Sequence, residues 1–260
     1  MSEQVVSYEL EGEVALIGLN RPEKRNCLSP ELQSQLRVAA TRAGEEAKCA
    51  ILFGHGENFC AGLDLAWAAE NWKGGRSQRL PFNYNRNLHQ EIIARGNIPF
   101  IAALHGATLG GGFETAAAAH IRIADETTFF GLPEGTRGIY IGGGGSVRIA
   151  RLIGFSRMQD MMLTGRVLKP EEAERYGAVQ YLVPKGQSMA KAKELAVRIC
   201  KNAPLSNFAI TNSLPRLQDM GYDDGLYFER MVGEYTRSPE SIERLRQFLD
   251  KTAPRLKMPD

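Results

Sequence analysis

One glutamate beside a run of glycines is well suited by type and spacing to acid–base chemistry. Glu114 follows Gly110, Gly111 and Gly112 in the segment "LGGGFETAAAAH". At the start of a helix the first backbone N–H groups lack intrahelical partners, and glycine lets a ligand approach them closely. The segment therefore predicts a backbone donor for a developing oxyanion, with a carboxylate in the same helical turn. The alternative is a glycine-rich turn in which Glu114 only stabilises the helix dipole.

A second glutamate, Glu134, follows the apolar residues "FFGLP" and precedes another glycine run at 142–145. A carboxylate among apolar and aromatic side chains is partly desolvated, which raises its pKa and suits it to proton transfer near neutral pH. Two carboxylates in different environments can divide the acid and base roles. The alternative is a surface glutamate that follows a proline.

A third segment, "NFCAGLDL", offers another backbone donor. The small residues Ala61 and Gly62 precede Asp64 and could present an N–H group to a ligand. The alternative is a plain turn in which Asp64 caps a short helix.

The glycine runs do not match the known phosphate-binding or nucleophile motifs. A GxGxxG motif would need glycine at Thr115 or at Arg148, and no Walker GxxxxGK[ST] sequence is present. A GxSxG nucleophile elbow also fails at Arg148. HExxH is absent, the four histidines are scattered, and the cysteines lack CxxC spacing, so we predict no metal site.

Composition limits the class of protein. The 32 Lys and Arg residues against 30 Asp and Glu residues give a net charge of +2, which does not indicate a nucleic-acid-binding protein. No window approaches the roughly 18 apolar residues of a membrane span, and the N-terminus resembles no secretory signal. Four cysteines in this length are ordinary for a reducing compartment, so we predict a cytoplasmic protein.

Strands and helices alternate along most of the chain, which predicts an α/β fold with largely parallel pairing. One helix is predicted at about 30–44, with Ser29 as its N-cap and Pro30 as its first residue. From about residue 187 the pattern becomes helical, and the predicted boundary divides the chain into 1–200 and 201–260.

Taken together, these segments resemble the crotonase (enoyl-CoA hydratase/isomerase) superfamily over nearly the whole chain. The resemblance rests on the order of six segments, "LNRPEKRNCLSPEL", "FCAGLDL", "IPFIAALHGATLGGGFETAAAAHIRIAD", "TTFFGLPE", "MMLTGRVLKPEEAERYGAVQYLVP" and "SPESIERLRQFLDKTAPRLK". It implies a crotonase-type α/β spiral of ββα turns at 1–200 and a helical trimerisation region at 201–260. It also implies an acyl-CoA thioester as substrate, no cofactor, and a homotrimer or a dimer of trimers.

The resemblance also implies roles for four residues. The backbone N–H groups of Ala61 and Gly111 fall on the oxyanion hole. Glu114 and Glu134 fall on the two hydratase glutamates, of which the first orients and deprotonates water and the second supplies a proton to the α-carbon. Because both acids are present, the resemblance favours hydration of a 2-enoyl-CoA.

Further residues are assigned to the substrate by the same resemblance. The CoA-binding positions are Lys24, Arg25, Leu28, Leu65, Phe248 and Lys257. The acyl-pocket positions are Trp67, Tyr84, Arg86 and Tyr140. The alternative for Lys24 and Arg25 is a solvated loop, and for Arg86 a solvated helix face.

One stretch departs from the family pattern. Many hydratases have Ile-Pro-Gly after the second acid, whereas this chain has "GTRGIYIGGGGSVRI". The departure leaves other chemistries open: a Δ3,Δ2-enoyl-CoA isomerase that uses Glu134 alone, or a hydrolase, dehalogenase or lyase. A non-catalytic CoA-binding scaffold is a further alternative, against which the two retained acids argue.

Overall fold

The computed structural model describes residues 3–71 and 88–252 of the 260-residue chain. The chain divides into two compact units, Met1–Cys200 and Lys201–Asp260. The first unit mixes strands and helices, and the described part of the second is helical, so the predicted α/β class is confirmed. Among the described residues, no helix is both long enough and apolar enough to cross a membrane.

The first unit contains two sheets. The strands are β1 (Val6–Glu11), β2 (Val14–Leu19), β3 (Cys49–Gly54), β4 (Phe100–Leu104), β5 (Ala107–Leu109), β6 (Ile121–Asp125), β7 (Phe129–Gly131), β8 (Val167–Leu168) and β9 (Tyr181–Val183). The larger sheet has the order β1-β2-β3-β4-β6-β9, and all its pairs are parallel except the β1–β2 hairpin. In the smaller sheet, β7 pairs parallel with β5 and antiparallel with β8.

Eight α-helices of the first unit and three of the second are described. They are α1 (Pro30–Glu46), α2 (Leu65–Asn71), α3 (Leu88–Arg95), α4 (Gly111–Ala118), α5 (Gly145–Ile153), α6 (Phe155–Thr164), α7 (Pro170–Tyr176), α8 (Ser188–Cys200), α9 (Pro204–Leu217), α10 (Tyr222–Tyr235) and α11 (Pro239–Leu249).

The central strands of the larger sheet are buried on both faces. Along β4, Phe100, Ala102 and Leu104 belong to one hydrophobic cluster, whereas Ile101 and Ala103 belong to another. Successive side chains of a strand point to opposite faces, so the two clusters lie on opposite sides of the sheet. Helix α8 contributes to the second cluster, and α1, α3 and α4 contribute to the first. This two-sided packing fixes the strand ends from which the loops of the candidate site leave.

Helix α1 begins where the sequence predicts. Ser29 is its N-cap, and the Ser29 hydroxyl oxygen accepts a hydrogen bond from the Leu32 N–H at 3.2 Å. Pro30 occupies the first helical position, where its missing N–H costs nothing because that group would have no intrahelical partner. The predicted start is confirmed, and the helix extends two residues past its predicted end to Glu46.

Candidate active site

The start of α4 carries the first candidate carboxylate. Gly110 precedes the helix with φ +48°, and Glu114 lies in its first turn, as the glycine run predicts. The Glu114 side chain is buried, and its Oε1 accepts hydrogen bonds from the N–H groups of Gly143 at 2.5 Å and Gly145 at 2.9 Å. The glycine run at 142–145 therefore fixes one oxygen of the Glu114 carboxylate.

The environment of Glu114 makes it a weak acid that can hold a proton near neutrality. Burial raises the pKa of Glu114 to about 7, and the nearby Glu134 charge adds to the rise. The backbone N–H groups of Gly143 and Gly145 act in the opposite direction because they stabilise the charged form. A carboxyl with a pKa near 7 can both accept and release a proton at physiological pH.

The second carboxylate, Glu134, lies immediately before a short 3-10 turn at Gly135–Arg137. Its side chain is as buried as that of Glu114, and burial raises its pKa, as the apolar residues before it predict. Its Oε2 atom is buried and has no hydrogen-bond partner within residues 3–71 and 88–252. A buried carboxylate oxygen without a partner is costly, and atoms of this kind are candidates for proton transfer.

The Glu134 carboxylate lies against the backbone at the start of α4. A Cβ atom placed on Gly110 would lie 3.0 Å from Glu134 Oε1. The backbone N–H of Glu114 donates to the Gly110 carbonyl at 2.9 Å, and the Glu134 charge is near enough to raise the pKa of Glu114. The start of α4 therefore carries one acid, and the carboxylate of the other lies against it.

Two backbone N–H groups lie next to these acids. Neither the Gly111 N–H nor the Leu63 N–H has a hydrogen-bond acceptor in the described part of the chain. A Cβ placed on Gly111 would lie 3.8 Å from the Leu63 nitrogen, and one placed on Gly62 would lie 3.4 Å from the Gly111 nitrogen. Two adjacent, unengaged N–H donors are the arrangement that stabilises a developing oxyanion.

This geometry corrects the assignment of Ala61 from the sequence. The Ala61 N–H donates to the Arg25 carbonyl at 2.9 Å, so it is already engaged within the protein. Leu63, two residues later, carries the unengaged donor in the same loop.

A conformational signal in the sequence could have identified Leu63. Each unengaged donor follows a glycine with positive φ: Gly62 at +93° precedes Leu63, and Gly110 at +48° precedes Gly111. Residues other than glycine rarely adopt a positive φ. A Cβ on Gly62 would also lie 2.8 Å from the Leu109 carbonyl oxygen. The residue after such a glycine is therefore a better candidate donor than the residue before it.

Asp64 stabilises the loop that carries Leu63. Its Oδ1 accepts the Trp67 N–H at 3.1 Å, and its Oδ2 lies 3.1 Å from the Arg21 guanidinium. Asp64 thus caps α2, which confirms the structural alternative for this residue. Arg21 also donates to the Cys27 carbonyl at 2.8 Å, which links the two loops.

The predicted CoA-binding residues fall into different environments. Lys24 and Arg25 are exposed, and neither forms an ion pair with a described residue. Leu65 is 43% exposed at the start of α2, whereas Leu28 is buried. A Cβ on Gly111 would lie 2.8 Å from Leu28 Cδ1, so Leu28 packs beside the unengaged donors and not in the exposed loop.

The remaining predicted substrate contacts are only partly described. Phe248 is 72% exposed on α11 of the second unit. Trp67 is half-buried on α2, and Tyr140 is 74% exposed at the edge of an apolar groove of about 280 Å³ that Phe155 and Leu163 also line. Three predicted positions, Tyr84, Arg86 and Lys257, lie outside the described residues.

Arg148 contributes to the site, although the sequence does not predict this role. Its guanidinium donates to the Gly143 carbonyl at 3.0 Å and pairs with Glu91 of α3. Its position in the first turn of the helix after the glycine run is the signal that could have found it. Within the described residues, no group of three or more His, Cys, Asp or Glu side chains is placed to hold a metal ion.

Known proteins of one family are similar to this chain over nearly its whole length. The model of the enoyl-CoA hydratase/isomerase family matches residues 9–258. The enoyl-CoA hydratase EchA19 of Mycobacterium tuberculosis is 33% identical over 249 residues, which cover 95% of this chain and 94% of that protein. The 2,3-dehydroadipyl-CoA hydratase of Escherichia coli is 32% identical over 99% of both chains. A crystal structure of enoyl-CoA hydratase from Bacillus anthracis has a TM-score of 0.85 and 31% identity, covering 97% of this chain and 98% of that one.

Proposed function

The chain belongs to the enoyl-CoA hydratase/isomerase family, and we propose that it is a hydro-lyase that adds water across the α,β double bond of an enoyl-CoA thioester. One observation carries the proposal: the buried Glu134 carboxylate lies against Gly110 at the start of the helix that carries the buried Glu114, beside two unengaged backbone N–H groups. Hydration needs two proton-transfer groups and one oxyanion site, and this part of the protein has all three.

The mechanism begins at the thioester carbonyl. Its oxygen accepts hydrogen bonds from the N–H groups of Leu63 and Gly111, which stabilise the negative charge that develops there. Each such donor typically contributes roughly 3 kcal/mol to the lowering of the barrier. Electron withdrawal toward this oxygen makes the β-carbon of the conjugated acyl group electrophilic.

The two carboxylates then orient one water molecule and transfer protons as it adds. Glu114, whose Oε1 is fixed by backbone N–H groups, orients the water and accepts its proton as the new C–O bond forms at the β-carbon. Glu134 supplies a proton to the α-carbon, where the enolate collapses and the C–H bond forms. One water is consumed: its OH bonds to the β-carbon, and its proton, taken up by Glu114, is passed through the next bound water to Glu134, which replaces the proton that Glu134 gave to the α-carbon.

The hydrogen bonds of Glu114 favour hydration over isomerisation. A Δ3,Δ2-isomerase needs only one acid to move a proton between two carbons, which leaves Glu114 without a role. In this protein two backbone N–H groups hold Glu114 in a buried position next to Glu134, and its burial carries a desolvation cost. Burial beside a like charge is costly, and a purely structural role of Glu114 would not compensate for that cost.

The substrate contacts extend the proposal to CoA. The exposed cations Lys24 and Arg25 are suited to CoA phosphates, and Leu65 offers an exposed apolar surface beside the same loop. Leu28, which packs against Gly111, would contact the thioester end of the ligand. Phe248 and Lys257 stay predictions for the nucleotide, and Trp67, Tyr84, Arg86 and Tyr140 for the acyl group. The substrate itself requires no cofactor in this chemistry.

The proposed assembly is a homotrimer or a dimer of trimers built through the second unit. Helices α10 and α11 bury no residue within the chain, although α10 carries Tyr227, Met231 and Tyr235, each more than half exposed. Apolar surface of this kind is typical of oligomer contacts. Light scattering after size exclusion tests the assembly, and a monomer would contradict it. A cytoplasmic location stays a prediction from composition.

Activity assays with defined thioesters test the proposed reaction. Hydration of crotonyl-CoA removes the absorbance of the conjugated enoyl thioester, whereas isomerisation of a 3-enoyl-CoA creates it. We expect loss of absorbance with crotonyl-CoA and no gain with 3-enoyl-CoAs. The opposite result would favour the isomerase, and reaction with neither would favour another thioester chemistry.

A further inference from the structure

The loop that holds Glu114 has no side chain of its own to fix its shape. It consists of Gly142, Gly143, Gly144 and Gly145, and Gly144 has φ +88°. Glycine loses more conformational freedom on folding than any other residue, so four in succession are ordered only at a cost. The groups that keep the Gly143 and Gly145 N–H groups directed at the carboxylate must therefore lie on neighbouring elements.

Arg148 is one of these groups. Its Nη1 donates to the Gly143 carbonyl at 3.0 Å, and its Nη2 pairs with the Glu91 carboxylate on α3. The side chain is only 17% exposed, and the guanidinium also lies against Gly144. The guanidinium thus joins a carbonyl of the loop to the Glu91 carboxylate on a neighbouring helix. A lysine ammonium is less suited to two such contacts because it lacks the planar, forked set of donors.

Gln90 supports the loop from the same helix. It is buried beside Gly143, and a Cβ on Gly143 would lie 2.9 Å from both Gln90 Oε1 and Glu114 Cδ. Its Nε2 lies 3.4 Å from the hydroxyl of Thr115, which itself donates to the Gly111 carbonyl at 2.8 Å. Because that hydroxyl has one proton, it can only accept from Gln90, which fixes the orientation of the amide. Helix α3 therefore contacts both the loop and the helix of Glu114.

We propose that Arg148 is a positioning residue for Glu114: anchored by Glu91, it holds the Gly142–Gly145 loop so that two backbone N–H groups stay directed at the Glu114 carboxylate. The role rests on the proposed function, because it matters only if Glu114 exchanges a proton during turnover. Arg148 does not touch the substrate in this role and acts through the loop alone.

The charges around Glu114 define the expected direction of the effect. Glu134 raises the pKa of Glu114, and the loop N–H groups lower it. Helix α3 contributes Glu91, which also pairs with Arg95, and His89, whose pKa burial and the Arg148 charge lower to about 4. His89 is therefore neutral near pH 7. Release of the loop removes stabilisation of the Glu114 carboxylate, so the pKa of Glu114 rises further and the rising limb of the pH–rate profile moves to higher pH.

Titration of Glu114 tests the role without reliance on turnover. The Glu114 carboxyl signal is followed by NMR in protein with ¹³C-labelled glutamate and is identified by its loss in the E114Q variant. We expect R148Q to raise the pKa of Glu114 by about one unit, with a fall of about fivefold in kcat at pH 7 and little change in KM. The variant R148K, which keeps the charge and one donor, is expected to show a smaller shift.

Two further variants complete the design. E91Q removes the ion pair of Arg148 but leaves its hydrogen bond to Gly143, so we expect a smaller rise in the pKa of Glu114. If R148Q does not fold, E91Q and R148K together test the proposal. R151Q, an exposed arginine on the same helix, is the matched control and should behave as wild type.

The outcomes separate the two proposals. An unchanged pKa of Glu114 in R148Q, E91Q and R148K overturns the positioning role even if the enzyme hydrates crotonyl-CoA. A shifted pKa in a protein that does not hydrate enoyl thioesters supports the positioning role and overturns the function. Loss of activity in R148Q without a shift in the pH profile indicates a purely structural role and overturns the proposal.

Discussion

Glu114 and Glu134 have the same side-chain chemistry and the same 5% exposure, yet their surroundings differ. Glu114 lies on a helix, and two backbone N–H groups fix one of its oxygens. Glu134 lies at a strand-to-turn junction, and its Oε2 has no hydrogen-bond partner among residues 3–71 and 88–252. Burial raises the pKa of each, and the opposing donors are N–H groups of the second glycine run for Glu114 but only its own backbone for Glu134.

Burial alone does not assign a role to a carboxylate. Fixed donors restrict the Glu114 carboxylate to one orientation, which suits a group that must aim a water molecule. An unengaged oxygen leaves Glu134 able to receive and deliver a proton without first breaking a bond within the protein. Environments that separate two carboxylates in this way are a recurring basis for paired acid–base chemistry.

The largest expected effect comes from Glu134. In E134Q the amide cannot carry the proton to the α-carbon, so we expect kcat for crotonyl-CoA hydration to fall about 10⁴-fold, at the upper end of the range for general acid–base catalysis. The exposed glutamate variant E171Q is the matched control and should retain full activity. Steady-state kinetics measure both, and near-normal turnover in E134Q would remove Glu134 from the site.

A somewhat smaller effect is expected from Glu114. In E114Q the amide oxygen can still accept the Gly143 and Gly145 N–H groups, but the side chain no longer accepts a proton from water, so kcat for hydration should fall about 10³-fold. The chain should keep its oligomeric state, which light scattering checks. If E114Q hydrates at nearly the wild-type rate, the two acids are not partners and isomerisation becomes the better assignment.

A substitution in the loop that carries the Leu63 N–H tests the donor and leaves both acids intact. In G62A the new methyl group would lie 2.8 Å from the Leu109 carbonyl oxygen, so the Leu63 N–H must move and kcat should fall about 100-fold. G12A is the matched control, because Gly12 also has positive φ but its Cβ would meet nothing within 4 Å. Each substitution should cost roughly 1 kcal/mol of stability from backbone strain. Equal activity of the two variants would exclude Leu63 as a donor.

The last expected effect is on stability and not on rate. Because burial raises the pKa of Glu114 to about 7, the folded protein binds its proton more tightly than the unfolded chain does. Stability from this group is then fully present below the unfolded pKa of about 4.5 and is lost as pH rises to about 7. E114Q cannot ionise, so it should be more stable than wild type by about 3 kcal/mol at pH 8 and by nearly nothing at pH 4. Denaturant unfolding at both pH values measures the difference, and a pH-independent difference would contradict the raised pKa.

Much of the site was readable from local sequence. The run Gly110–Gly112 ahead of Glu114 predicts a helix start with a free N–H and an acid in one turn, and the structure has that arrangement at α4. The apolar residues before Glu134 predict a raised pKa, which burial explains. Ser29 and Pro30 likewise predict the start of α1, because capping depends on residues within one helical turn.

The failures involve contacts between distant segments. The choice between Ala61 and Leu63 depends on the Arg25 carbonyl, which lies in another loop and engages only the first N–H. The contribution of Arg148 depends on Glu91, 57 residues earlier in the chain. The glycine before Leu63 makes this residue a candidate donor, but only the fold shows that a carbonyl from a remote loop engages the Ala61 N–H.

The sequence by itself therefore determined the chemical groups and the local geometry around each: glycines where φ is positive, an acid in a first helical turn, and an acid among apolar neighbours. Three features depend on the fold: Glu134 lies against Gly110 at the start of the helix that carries Glu114, Leu63 and not Ala61 has an N–H without an acceptor among the described residues, and the second glycine run holds Glu114. The physical reason is that backbone conformation and capping are set within a few residues. Hydrogen-bond pairing and desolvation, in contrast, depend on which remote segments the packed sheets and helices bring together.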